Sequence, residues 1–272
     1  MRRRLDAELV RRRLADSRAQ AARLIESGQV LVGGAPADKP ARLVSPDEPL
    51  RLAGPPPRYV SRGGDKLEAA LRYFAIPVTG RAALDAGAST GGFTDCLLQA
   101  GASGVVAVDV GRGQLHERLR RDPRVEVHER TDIRAFSATC AARFDLVVAD
   151  LSFISLRTVA DALTALAAPG ADLVVLIKPQ FEAGRAEASR GRGVIRDPAV
   201  WRRAVEDSIT ALESSGAANM GVMVSPLRGA DGNVEFLAYF NVGGSGTVAP
   251  RPDASVDAAL AAAGAAASRG GD

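Results

Sequence analysis

With 272 residues, 46% of them apolar and a formal net charge of +3, the chain can hold one large domain and one small one, with cores built from Ala, Val and Leu. No apolar run approaches the roughly 18–20 residues of a membrane span, and the Met1-Arg-Arg-Arg4 start is not a secretory signal. Two cysteines without paired spacing, Cys96 and Cys140, and two histidines, His116 and His128, argue against a disulfide framework and a zinc centre, so a cytoplasmic, monomeric protein without metal or membrane contact is expected.

Residues 1–62 carry 13 Lys/Arg against 7 Asp/Glu, a net of +6, while the remainder carries 22 against 25, a net of −3. A basic module beside a mildly acidic one points to a polyanion partner for the first part. Within it, 6–13 and 17–27 read as short helices. Ser17-x-x-Gln20 can form a capping box, and Ala21, Leu24 and Ile25 supply a buried stripe. Gly28 ends the second helix. A strand at 29–32, a turn at Gly33-Gly34, and Leu43, Val44, Leu50 and Leu52 make a small sheet. Pro55-Pro-Pro57 then marks a stiff linker. The expected organisation is a small α+β domain over 1–54, a linker over 55–62, a main domain over 63–245, and a flexible Ala/Gly-rich tail over 246–272 with room for one alanine-rich helix.

From Asp65 onward, helices (65–75, 91–101, 113–121, 155–168, 198–216) alternate with strands (81–86, 104–110, 125–130, 144–150, 172–178, 218–225, 234–242). Alternation predicts a mostly parallel, doubly wound α/β sheet with ligands at the carboxyl ends of its strands. No helix separates the last two strands, so a hairpin should close one edge.

The run Asp85-Ala-Gly-Ala-Ser-Thr-Gly-Gly-Phe93 leads from a strand through a glycine turn into a helix, the arrangement of a nucleotide-cofactor site. A dinucleotide fingerprint would need glycines at 87, 89 and 92, but position 89 is Ser, and the absent glycine is the one that admits a pyrophosphate. S-adenosylmethionine has no pyrophosphate, and its methionine end can use a hydroxyl and backbone amides. Asp85, Gly87, Ser89, Gly91, Gly92 and Phe93 are therefore candidates for binding it. Asp109, at the end of the next strand, is placed for the ribose hydroxyls of the adenosyl group, and Asp132 joins the candidate cofactor set.

Charged residues stand at the same predicted sheet edge. Asp150 ends one apolar strand, Lys178 ends another, Glu235 opens the last, and Lys66 lies on the helix before the first. A Lys ending a buried strand is costly unless paired or functional, and four such groups of alternating sign around a cofactor turn favour function. Directly after Lys178, the segment 183–196 carries Arg185, Arg190, Arg192 and Arg196 among three glycines, which predicts a mobile loop whose Arg190 and Arg192 reach RNA phosphates.

Over nearly its whole length the chain resembles the TlyA-type ribosomal RNA 2′-O-methyltransferases, formerly grouped with haemolysins, which join an S4-like RNA-binding module to an FtsJ-like methyltransferase domain. The S4-like signature is Arg4-Leu-Asp6, Leu9, Ser17-Arg18, Ala21, Ile25, Gly28, Val30-x-Val32-x-Gly34 and Lys39-Pro40. The second signature is Ser61-Arg-Gly63, Lys66-Leu67, the 85–93 turn, Asp109-Val-Gly111, Ala149-Asp-Leu-Ser-Phe-Ile154, Lys178-Pro-Gln-Phe-Glu182 and Gly232-Asn-Val-Glu235. Arg58-Tyr-Val60 departs from it, since relatives often carry a Trp there. The resemblance implies a Rossmann-like methyltransferase sheet with an S4-like domain in front. It assigns a Lys-Asp-Lys-Glu catalytic set to Lys66, Asp150, Lys178 and Glu235, and it makes Arg4 and Arg18 the leading RNA contacts. It implies S-adenosylmethionine-dependent methylation of a ribose 2′-oxygen in ribosomal RNA or ribosomal subunits, at cytidine in 16S and also 23S rRNA. Three other readings are disfavoured. A membrane-active haemolysin lacks an apolar segment, a dead methyltransferase fold would have lost the turn or the charges, and an NAD enzyme is opposed by Ser89.

Overall fold

The computed structural model describes residues 2–15, 17–26, 28–54, 57–184, 187, 193–229, 231–243 and 254–268. The chain divides into two compact units, Met1–Pro57 and Arg58–Asp272.

In the first unit, helices α1 (Leu5–Arg11) and α2 (Arg18–Glu26) pack together through Leu5, Leu9, Ala21, Leu24 and Ile25. Strands β1 (Arg3–Arg4) and β4 (Leu43–Val44) form one short antiparallel pair. Strands β2 (Val30–Val32), β3 (Ala35–Pro36) and β5 (Leu50–Leu52) form a second small sheet with β2 in its centre. Ser17 Oγ accepts from Gln20 N–H at 3.2 Å, as a capping serine does.

The second unit is built on seven strands: β6 (Ala82–Ala86), β7 (Gly104–Val108), β8 (Val125–His128), β9 (Phe144–Ala149), β10 (Ala167–Ile177), β11 (Ala217–Val224) and β12 (Phe236–Val242). Their order is β11-β12-β10-β9-β6-β7-β8, parallel from β8 to β10, with β12 antiparallel between β10 and β11. The central strands are apolar runs because both of their faces are covered. Alternate side chains go to opposite cores. Val147, Val175 and Ile177 join one, and Leu146, Val174 and Leu176 the other.

The first of these cores is covered by α6 (Ile133–Thr139), α7 (Leu156–Leu166), α9 (Pro198–Ser214) and α10 (Val256–Ser268). The second is covered by α3 (Gly63–Tyr73), α4 (Gly92–Gln99) and α5 (Glu117–Arg120). A single turn, α8 (Pro179–Glu182), follows β10.

Several details differ from the sequence expectation. Residues 58–62, expected in the linker, pack on the second unit. Tyr59 and Val60 are buried, Val60 N–H donates to Asp95 Oδ2 at 2.9 Å, and Gln99 donates to the Arg58 carbonyl at 3.0 Å. Part of the expected flexible tail is α10, which packs against β11 and α9 with Ala259 and Ala263 buried. Strand β10 starts at Ala167, directly where α7 stops, and carries an irregularity before Asp172. Helices α6 and α8 were not anticipated. Of the two cysteines, Cys96 is buried but Cys140 is only half-buried.

Candidate active site

The crevice lies where the strand order reverses, between β6 and β9, at the carboxyl ends of the parallel strands. Asp150 N–H donates to the Ala86 carbonyl at 3.0 Å, which holds the exits of these two strands together. The glycine turn leaves β6 here and enters α4 through Gly91, the helix cap, at φ +93°. Gly87 has φ +87°, and a Cβ there would meet the Asp150 carbonyl oxygen at 2.6 Å. A Cβ on Gly92 would meet Ser61 Oγ at 2.3 Å. These glycines therefore let the turn lie against neighbouring protein segments, and the ligand face of the cradle is what that packing leaves. Ser89 adopts φ +48°, unusual for a side-chain-bearing residue.

Asp109 organises the cradle. Its Oδ2 accepts from Ser89 N–H at 2.8 Å and its Oδ1 from Gly111 N–H at 2.6 Å, while Ser89 Oγ donates to Gln114 Oε1 at 3.1 Å. Asp85 is fully buried. Its Oδ2 accepts from Thr94 Oγ at 2.6 Å, and its Oδ1 has no hydrogen-bond partner among the described residues. Burial pushes the Asp85 carboxyl up to about 7, with the nearby charges of Asp150 and Asp109 adding to the effect and the Thr94 hydrogen bond opposing it. Phe93 is buried in the core, so it can offer a ligand only backbone, at a helix start whose first N–H groups lack intrahelical partners. Asp132 caps α6 at Arg134 N–H (2.8 Å) and pairs with the Arg134 guanidinium, which holds its carboxyl down at about 2. Its turn is tied to the cradle through Thr131 N–H on the Asp109 carbonyl at 3.0 Å. A glycine turn with an orphaned acidic oxygen, a serine hydroxyl and a second carboxylate one strand away fits an adenosyl amino acid.

The four charged candidates meet at this edge as two ion pairs. Ile177 pairs with Phe236 in the antiparallel register, so Glu235, entering β12, stands beside Lys178, leaving β10. Lys178 Nζ contacts Asp150 Oδ1 at 2.5 Å and donates to Ser152 Oγ at 2.9 Å. Lys66 Nζ donates to Glu235 Oε2 at 2.5 Å. Both lysines and Glu235 are buried, and Asp150 is half-buried. The Lys178 ammonium also lies 5.8 Å from the centre of the Phe181 ring, within cation–π range.

In the first unit, Arg4 and Arg18 share the buried carboxylate of Asp6, at 3.0 and 2.9 Å, and their side chains are 48% and 61% exposed. Glu8, also buried, holds Arg11 at 2.7 Å and Arg12 at 2.8 Å. Hydrogen bonds from Arg4 to Asp6, and from Arg11 and then Arg12 to Glu8, lower both carboxyls to about 2. These two acids were missed as site residues, although arginines within one or two turns of them were visible in the sequence. Arg190 and Arg192 lie outside the described residues, as does half of the expected loop, Arg185 included.

Family models match the units separately, an S4 domain over residues 3–50 and an FtsJ-like methyltransferase over residues 59–242. The chain is 52% identical over 238 residues to the 16S/23S rRNA (cytidine-2′-O)-methyltransferase TlyA of Mycobacterium tuberculosis, a match covering 87% of this chain and 88% of that one. It is 38% identical over 241 residues to a Brachyspira hyodysenteriae protein named hemolysin A, covering 87% of this chain and 99% of that one. A solved structure from Streptococcus thermophilus, under a provisional hemolysin name, covers 99% of this chain and 98% of its own, with a TM-score of 0.75 and 36% identity. Among the described residues, no helix is long and apolar enough to cross a membrane. Matched over both units, with its charged cluster assembled at the cofactor crevice, the chain belongs to the FtsJ-like methyltransferases, in the TlyA-type branch that carries an S4 domain in front.

Proposed function

We propose that this chain uses S-adenosylmethionine to methylate the ribose 2′-oxygen of cytidine in 16S and 23S ribosomal RNA. The observation that carries the reading is the buried Lys178, fixed by Asp150 and Ser152 beside the glycine turn. A ribose 2′-hydroxyl is a weak acid and a poor nucleophile, so the protein must hold it in line and manage one proton. The cofactor, when bound, supplies a methyl group already activated on a sulfonium. Lys178 Nζ orients the hydroxyl and in its neutral form accepts its proton, with Asp150 and Ser152 fixing its direction. The Lys66–Glu235 pair stands alongside, where Glu235 keeps a second ammonium in place.

In this proposal Gly87, Ser89, Gly91, Gly92 and the backbone of Phe93 cradle the methionine end, with Asp85 beneath it. Asp109 takes the ribose, and Asp132 lies on the adenine side. Residues 63–245 carry out the chemistry. Residues 1–54 hold structured RNA, chiefly through phosphates, with Arg4 and Arg18 foremost and Arg190 and Arg192 added from the second unit. Such a substrate sets the protein to work in the cytoplasm, where in this proposal it acts as a monomer.

The test is methyl transfer from S-adenosylmethionine to purified ribosomal subunits, with the rRNA digested and mapped by mass spectrometry. Methylcytidine carrying its label on the ribose is the expected product. A methyl group found only on bases, or none transferred at all, would sink the proposal.

A further inference from the structure

The turn after Lys178 carries a buried carboxylate that the transfer chemistry does not use. Glu182, 5% exposed, ends α8 four residues beyond Lys178. Both of its oxygens are directed at the start of α7. Ser155 Oγ donates to Oε2 at 2.5 Å, and Leu156 N–H donates to Oε1 at 2.8 Å. Arg157 reinforces the junction by donating to the Glu182 carbonyl at 3.1 Å. Ser155 is also the last residue of the loop that leaves β9 with Asp150 and Ser152.

That loop is thus tied to the Lys178 turn at both ends. Asp150 and Ser152 meet Lys178 Nζ at one end, and Ser155 and Leu156 meet Glu182 at the other. Between the ties, Phe153 holds φ +65° with its side chain 91% exposed. Such a backbone conformation in a non-glycine residue costs about 1–3 kcal/mol and persists only where its surroundings enforce it. The Asp150 backbone is held by the Ala86 carbonyl, and the Phe153 ring centre lies 5.1 Å from that of Phe181. The Glu182 tie therefore acts on the direction of the Asp150 and Ser152 side chains.

We propose that Glu182 is a positioning residue for methyl transfer: by pinning the far end of the 150–155 loop it keeps Asp150 and Ser152 on Lys178. The inference rests on Lys178 and Asp150 being the transfer centre. Its test is steady-state kinetics of the full-length protein on ribosomal subunits, with Glu182→Ala, Glu182→Gln and Ser155→Ala made in the wild-type and Asp150→Asn backgrounds. Glu182→Ala should lower kcat by about 10- to 100-fold, the scale of a displacement near one ångström, while KM for S-adenosylmethionine stays close to wild type. Glu182→Gln, which keeps an acceptor for one donor, should recover part of the loss. In the Asp150→Asn background the same change should add little, because residues acting through one contact are not additive. If Glu182→Ala does not fold, Ser155→Ala removes one tether from the other side and gives the same comparison. Equal losses in both backgrounds, or an unchanged kcat in an otherwise active protein, overturn the inference alone. A wild-type protein that transfers no methyl group overturns the functional reading and this inference with it.

Discussion

In the N-terminal unit the acids are buried and their arginines reach the surface, whereas around Lys178 the cations themselves are buried. Asp6 and Glu8 hold four guanidinium groups, each from no more than 12 positions away. Lys66 and Glu235 meet across 169 positions, and Lys178 meets Asp150 from a neighbouring strand. Arg4, Arg11 and Arg18, pinned locally and exposed, can turn donors to a phosphate backbone, each with a modest, salt-sensitive increment. Arg12 instead is engaged by Glu8 and the carbonyls of Ser45, Pro46 and Glu48. Buried cations from distant elements define one geometry, and breaking a buried pair leaves an uncompensated charge. The first arrangement suits a long polymer, the second a single atom.

The deepest break in this contrast should come at Lys178. Lys178→Ala should lower turnover on rRNA by about 10²-fold or more, the usual scale for positioned acid–base help, with cofactor affinity by titration calorimetry nearly unchanged. Lys178→Arg should not restore turnover, because a guanidinium does not deprotonate in this range and its fork would misplace the hydroxyl. Wild-type turnover in Lys178→Ala would leave the buried pair with a structural role only.

Asp109→Ala should come next, weakening S-adenosylmethionine binding by roughly 1.5–3 kcal/mol, the range for hydrogen bonds to a charged group. The same change frees Ser89 N–H and Gly111 N–H, so an unchanged calorimetric affinity would move the ribose contact elsewhere and show that the turn holds its own shape.

Asp85 sharpens the comparison through pH. Its folded carboxyl titrates at about 7, above the roughly 3.9 of an unfolded Asp. Its stability contribution is therefore fully present below about pH 4 and is lost as pH rises through about 7. Asp85→Asn should remove that loss, so its Tm relative to wild type should climb by several degrees between pH 4 and 8. A constant Tm difference across that range would show that Asp85 is not a strained carboxyl. Asp6 and Glu8 have the opposite sign, since their lowered carboxyls stabilise at neutral pH and lose that effect only as pH falls towards about 2.

The smallest expected effect is at Arg18. Arg18→Ala should weaken RNA binding about equally across sequences and reduce the salt slope by about one phosphate contact. An unchanged slope would mean that Arg18 serves Asp6 alone.

Much of the catalytic unit was legible because the runs at 146–149 and 173–177 are continuous and apolar, with a charge placed directly after each. The pairing of those charges was not legible. It depends on β12 entering antiparallel beside β10, which puts Glu235 at the edge but commits it to Lys66. Helices α6 and α8 were missed because seven and four residues are too few to show a helical period. The start of β10 was hidden by Pro169-Gly170, which reads as a break. The glycine turn was recognised, but the ligand was given as the reason for its glycines, when Asp150 and Ser61 already require two of them. Composition allowed an alanine-rich helix at α10 but not the sheet face on which its small residues pack, so the segment read as frayed.

Strand β12 is the last to leave the ribosome, yet it lies between β10 and β11. The edge strand β11, made earlier, has its antiparallel partner only once β12 has emerged. At about 5–20 residues per second, the cradle segment 85–109 and the Asp150 segment it packs on are therefore made several seconds before Glu235. The Lys66–Glu235 pair therefore closes only when the β11–β12 hairpin is in place, joining the first helix of the unit to the last strand described.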